Sequence, residues 1–234
     1  MTDSVRGAII AAGEGSRLRA DGYRVPKPMV EVAGLPLIGA VLRNFTTAGI
    51  TAITIILNEQ ERECVEWVRT RFPALAIDFI VKSTASSLES FREVTGRGPA
   101  GPMLVSTVDA WCAAEDFARF AAAAASRPDD ATVLAVTPFV SDEKPLWVTL
   151  GARGRVEGLG MVDSGLVTAG VYRVSDRARR LAPARELGRL REYLGWLHES
   201  GEPLYGEIIE TVVDVDRALD VASAEALARG VRRT

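Results

Sequence analysis

The feature that most limits how this chain can fold is a series of short apolar runs that lack polar alternation. Residues 5–12 (Val-Arg-Gly-Ala-Ile-Ile-Ala-Ala) form the first, and a run of this kind reads as a strand buried on both faces. Further runs lie at 51–57, 77–81 and 102–108. Segments with helical spacing separate them. Pro36 opens one through Ile38, Val41, Leu42 and Phe45 that stops at Gly49, Gln60–Arg71 is amphipathic, and Ser86 with Glu89 forms a capping box. This alternation over the first 140 residues predicts a three-layer α/β architecture with a mainly parallel central sheet covered on both faces. Strand candidates at 132–139, 147–150 and 166–174 sit closer together and predict antiparallel additions, making the sheet mixed. Helices are expected at 116–126, 187–199 and 224–229. No repeat, low-complexity linker or change of composition divides the chain, so residues 1–234 read as a single domain.

Charge narrows the class of partner. The formal net charge of -3 gives no general attraction for nucleic acid or an anionic membrane, so neither is expected as a partner. A polyanionic substrate would have to be held by local cations or by a metal. No apolar run approaches the roughly 20 residues that span a bilayer. Met1 to Arg6 are polar and lead straight into the first strand, without a signal-peptide layout. Cys64 and Cys112 lie far apart with no metal-ligand spacing and read as reduced packing residues. These features together predict a cytoplasmic protein.

The first strand runs into Gly13-Glu14-Gly15-Ser16-Arg17-Leu18, followed by Pro26-Lys27-Pro28-Met29. Glycines after a buried strand let the backbone approach a phosphate chain with its amides pointing at it. Arg17 adds a planar donor fork suited to phosphate oxygens, and the flanking prolines restrict where the Lys27 ammonium can go. Arginine is otherwise the usual cation of this chain: lysine occurs only at 27, 82 and 144. The dinucleotide fingerprint is excluded because Leu18 stands where its third glycine belongs and Asn58, not an acid, follows the second strand. The P-loop is excluded because no Gly-Lys-Ser/Thr triplet occurs.

Two acidic positions stand out. Asp109 follows the strand at 102–108, where ligands of open α/β sheets gather, although an Asp there can equally end a strand or cap the next helix. Later comes Asp214-Val215-Asp216, then Leu219-Asp220. Alternate residues of an extended segment share a face, so Asp214 and Asp216 would present two carboxylates together. Like charges on one face are unfavourable unless a cation is shared, and magnesium would meet that need. A solvated acidic turn, with Asp220 starting the final helix, is the other reading.

Ala11-Ala12-Gly13-Glu14-Gly15-Ser16-Arg17-Leu18 with Pro26-Lys27-Pro28-Met29-Val30-Glu31-Val32-Ala33-Gly34-Leu35-Pro36-Leu37-Ile38 closely resembles the signature of the sugar-phosphate nucleotidyltransferase family. The resemblance runs through roughly forty residues and implies a Rossmann-like fold of the nucleotidyltransferase type. It implies an enzyme that uses Mg2+ to transfer a nucleotidyl group from a nucleoside triphosphate to a sugar 1-phosphate, releasing pyrophosphate and forming a nucleoside-diphosphate sugar. By position, Ala11, Ala12, Gly13, Glu14, Gly15, Ser16 and Arg17 would bind the nucleotide, with Arg17 and Lys27 on its phosphates as the catalytic cations. Lys82, Ser83 and Ser87 fall in the segment where relatives read the base. Asp109, Asp214 and Asp216 would chelate the metal, with Val108-Asp109 departing from the usual Gly-Asp.

In that reaction an acceptor phosphate oxygen attacks the α-phosphorus. A phosphomonoester, with a second pKa near 6, is already ionised. No general base is needed, which agrees with a single histidine, His198, in a C-terminal helix where it reads as a surface or packing residue. The second lysine that contacts the sugar phosphate in many relatives has no counterpart beyond Lys144, which comes early in the chain and also reads as a solvated loop cation. This leaves open a cytidylyltransferase acting on an alcohol phosphate such as phosphocholine or inositol phosphate, with Trp111 and Trp147 as candidate contacts to a quaternary ammonium. A domain that senses a nucleotide without catalysis is a third reading.

Overall fold

A computed structural model describes residues 5–140, 144–160 and 162–230. Nine strands form the main sheet: β1 (Arg6–Ala11), β2 (Ala52–Leu57), β3 (Ala76–Val81), β4 (Met103–Thr107), β5 (Thr132–Thr137), β6 (Trp147–Leu150), β7 (Val156–Gly160), β8 (Val167–Val174) and β9 (Leu204–Ile208). The helices are α1 (Ser16–Ala20), α2 (Leu37–Thr47), α3 (Arg62–Arg71), α4 (Ser87–Thr95), α5 (Ala114–Ala125), α6 (Asp176–Arg180), α7 (Leu190–Glu199) and α8 (Ala218–Ala228).

The first half of the chain supplies a parallel block in the order β3-β2-β1-β4. Both faces of β1, β2 and β4 are buried, as the apolar runs predict, whereas β3, at the edge, is only partly buried. Ile9 and Ala11 of β1 point into one core with α2, α3, α5 and α8, while Ala8 and Ile10 point into the other with α4 and α7. The chain winds outward from β1 to β2 and β3, then crosses back to place β4 on the other side of β1. The crevice beyond the carboxyl ends of β1 and β4 is therefore the switch point at which open α/β sheets bind ligands.

The second half extends the sheet by antiparallel pairing. β8 pairs with β4 on one side and with β5 and β6 on the other, β6 with β7, and β9 lies parallel to β5. The register of β8 shifts between Thr168 and Tyr172. Gly170 sits in this bulge at φ +70, and a Cβ there would come 2.6 Å from the Thr107 hydroxyl of β4. Only glycine allows that approach, and bulges of this kind are frequent beside functional sites.

The sequence expectation omits β7 and β9. Both contain glycine and a charged residue (Gly158, Gly160 and Glu157; Gly206 and Glu207), which removes the apolar signal, and pairing with β6 and β5 makes them strands. The final helix begins at Ala218, six residues earlier than expected. Asp220 accepts from the amides of Asp216 and Arg217, and Asp21 accepts from Ala218, so its first turn is capped twice. No helix among the described residues is long and apolar enough to cross a membrane.

Candidate active site

β1 ends in Ala11, and the buried Ala12 leads into the glycine loop. Gly15 takes φ +60, and a Cβ on it would lie 2.8 Å from the Cβ of Lys27. The loop thus closes onto Lys27 through a contact that only glycine permits. Lys27 begins a single 3-10 turn, Lys27–Met29, between its prolines and is only 7% exposed.

Asp109 follows β4, next to β1 across the switch point. A two-residue ribbon pairs Val213 with Trp111 and Asp214 with Ala110, and the Val215 amide donates to the Asp109 carbonyl at 3.0 Å. This ribbon carries the C-terminal aspartates back beside Asp109. One carboxylate oxygen from each of Asp109, Asp214 and Asp216 lies within 4.8 Å of the others.

Cations already engage these groups. The Lys27 ammonium donates to Asp109 Oδ2 at 2.6 Å and to Asp216 Oδ1, and Arg17 Nη1 donates to Asp216 Oδ2 at 2.9 Å. Burial alone would lower the Lys27 pKa, but Asp109, Asp216 and Asp214 outweigh it and hold the ammonium charged, above the usual lysine value. Burial works against the Asp109 carboxylate too, yet Lys27 and the Thr107 hydroxyl keep its pKa below the ordinary value. Three hard oxygen donors clustered around a positive charge are a donor set that fits magnesium or manganese.

Two cavities meet at the cluster. One, of about 390 Å³, is lined by Gly13, Gly15, Ser16 and Asp216 together with the cations Arg17, Lys27, Lys144, Arg189 and Arg191. The other, of about 190 Å³, runs from Asp109 along the β8 bulge past Thr107, Thr168, Tyr172, Phe139 and Leu146. Asp214 and Arg191 line both. Tyr172 remains a protonated phenol, its pKa pushed up to about 12, chiefly by burial.

Most of the residues expected from sequence converge here. Gly13, Gly15, Ser16, Arg17, Lys27, Asp109, Asp214 and Asp216 surround the cluster. Ser87 lines the smaller cavity, and its hydroxyl accepts from the Leu190 amide at 3.0 Å, tying α4 to the start of α7. Glu14 is exposed, and its carbonyl accepts from Arg19. Lys82 lines neither cavity: its ammonium pairs with Glu89 at 2.9 Å and Glu93 at 2.6 Å on α4. Ser83 also lies outside both cavities and donates to Asn58 at 3.4 Å. Trp111, Trp147 and His198 line neither.

Arg189 and Arg191, at the start of α7, are absent from the sequence reading. A partial signal was available, because cations at a helix start oppose its macrodipole, although Glu192 in the same turn offsets them. Thr168 and Tyr172 left no such signal, since their exposure to the cavity depends on the bulge.

A family model described as the MobA-like NTP transferase domain matches residues 7–194. The chain belongs to that family; Asp214 and Asp216 lie beyond the matched stretch. Among curated proteins, a 2-aminoethylphosphonate cytidylyltransferase of Lancefieldella rimae is 30% identical over 95 residues, covering 38% of each chain. A CMP-5'-(3-aminopropyl)phosphonate synthase of Streptomyces rubellomurinus is 28% identical over 90 residues, 38% of this chain and 14% of that protein. The alignments thus span well under half the length of these relatives. Among solved structures, the inositol-1-phosphate CTP transferase from T. maritima superposes with a TM-score of 0.79 at 17% identity, covering 100% of both chains. A putative glucose-1-phosphate thymidylyltransferase from Bacillus anthracis gives 0.77 at 17% identity, covering 99% of this chain and 98% of that one. At this identity the likeness shows the fold.

Proposed function

We propose that this chain is a cytoplasmic nucleotidyltransferase that joins a nucleoside monophosphate unit from a nucleoside triphosphate to a sugar 1-phosphate, with release of pyrophosphate. The observation that carries this reading is the position of the three carboxylates on the seam between a cationic cavity and a smaller one of mixed polar and apolar lining. A transfer reaction needs such a seam, because both substrates must present oxygen-rich phosphates to one point.

The loop amides, Arg17 and Ser16 would hold the triphosphate, and Lys27 would offset charge where the two phosphates converge. Arg191, shared by both cavities, is placed to orient the acceptor phosphate. Its oxygen attacks the α-phosphorus as the bond to the β-phosphate oxygen breaks, and pyrophosphate carries the electron pair away. Asp109, Asp214 and Asp216 would hold magnesium, which supplies charge neutralisation between the reacting phosphates.

A second reading, a cytidylyltransferase acting on an alcohol phosphate or phosphonate, is favoured by the cavity of about 190 Å³, below the ~300–1,000 Å³ usual for drug-sized ligands. The phosphonate-handling relatives support it as well. Phe139 and Tyr172, in place of the two tryptophans, would face the organic part of such an acceptor.

Pyrophosphate release with Mg2+, each triphosphate in turn, and a panel of sugar phosphates, alcohol phosphates and aminoalkylphosphonates tests these readings. Turnover with one triphosphate and one acceptor that vanishes in Asp109→Asn supports transfer and names the acceptor. Tight nucleotide binding without metal and without turnover would favour a nucleotide sensor.

A further inference from the structure

The arrangement of Lys27 carries a consequence for how the substrates enter. Its ammonium sits between Asp109 and Asp216, almost fully enclosed, on a backbone fixed by two prolines and packed against Gly15. Arg17 occupies the other oxygen of Asp216. A divalent cation binding to all three carboxylates would have to share this small volume with a positive charge a few ångströms away. Repulsion between such charges is severe where water is scarce. A triphosphate laid along the glycine loop changes the balance, because it offers Lys27 and Arg17 new anionic partners within the same cavity.

We infer that Lys27 is the residue that couples the metal to the nucleotide. In the free protein it holds Asp109 and Asp216 closed to divalent cations, and it releases them only when a triphosphate draws its ammonium away. This rests on the reading of the cleft as a nucleoside-triphosphate site. By linkage, whatever the triphosphate does for the metal, the metal does equally for the triphosphate. The free protein is thereby protected from filling its carboxylates with a cation when no nucleotide is present.

With lysine only at 27, 82 and 144, the side-chain 15Nζ resonances of the protein are few enough to assign by substitution. The expected result is an ordered Lys27 signal that millimolar Mg2+ alone leaves in place and that a non-hydrolysable triphosphate analogue with Mg2+ shifts. Calorimetry with Mn2+ and no nucleotide should show binding to Lys27→Met roughly tenfold or more tighter than to the wild type, within the usual range of such couplings, and loss of that gain in Lys27→Met/Asp109→Asn. Displacement of the Lys27 signal by Mg2+ alone, or equal Mn2+ affinity of wild type and Lys27→Met, overturns the coupling. If the analogue does not bind at all, the nucleotide reading fails with it, and the titration of the analogue distinguishes that case.

Discussion

The two walls of the cleft hold charge in different ways. On one side the glycine loop and Asp109 directly follow β1 and β4, adjacent strands of the parallel block, and Lys27 sits on a 3-10 turn between two prolines, packed against Gly15. On the other side Lys144, Arg189 and Arg191 reach the same cavity from connecting segments and from the first turn of α7. The strand-borne wall is suited to placing groups at the reacting centre, where an error of an ångström is costly. The segment-borne wall can vary without disturbing the sheet, which suits residues that select an acceptor.

Substitutions on the two walls should separate these roles. Asp109→Ala on the strand wall should have the largest effect, lowering the rate of pyrophosphate release by about 10²–10³ or more, the scale for loss of a preorganised charge. Residual activity within tenfold of wild type would abolish the distinction. Arg191→Ala on the opposite wall should raise KM for the acceptor about 10–100-fold, the equivalent of one charged hydrogen bond, while KM for the triphosphate changes much less. Equal losses for both substrates would show that Arg191 serves the whole cleft.

Gly15→Ala sharpens the comparison from the side of stability. A residue with a Cβ is strained at φ +60 and would press on Lys27, so denaturant midpoints should report a loss of about 1–2 kcal/mol. Gly13→Ala, with nothing within 4 Å of the new carbon, should cost less. The smallest effect on turnover is expected outside both walls, at Glu61, where the consequence falls on stability. Burial, partly offset by the Asn58 amide and Arg19, raises its pKa to about 7 from an ordinary 4.5. The folded state therefore binds this proton more tightly than the unfolded state. Its contribution is fully present below pH ~4.5 and is lost as pH rises to about 7. Glu61→Gln should match wild type near pH 4.5 and exceed it by about 3 kcal/mol at pH 8 in urea titrations.

The strand wall was also the more legible in sequence. Gly13, Gly15, Arg17 and Lys27 lie within fifteen residues of one another, and Asp109 directly follows an apolar run, so local spacing exposes them. The C-terminal pair was legible as two carboxylates on one extended segment, but the ribbon that brings Asp214 to Ala110 is a long-range pairing with no local pattern. Lys82 shows the converse. Its pairing with Glu89 and Glu93, on the next helix, is a contact that the segment's own pattern does not announce. β7, β9 and the β8 bulge were illegible for a shared reason: their glycines erase the alternation that identifies a strand, and only neighbouring strands restore it.

The Asp21 carboxylate that caps α8 also sets an order in time. When the chain has been synthesised through residue 200, the glycine loop, Lys27 and Asp109 all exist, but Lys27 lacks its second carboxylate and Asp21 has no helix to receive. Residues 213–220 supply both the missing carboxylates and the α8 amides, joining positions almost two hundred residues apart. Contacts of that span are slow to form, and the cleft is incomplete until the segment carrying Asp214 and Asp216 has docked beside Asp109.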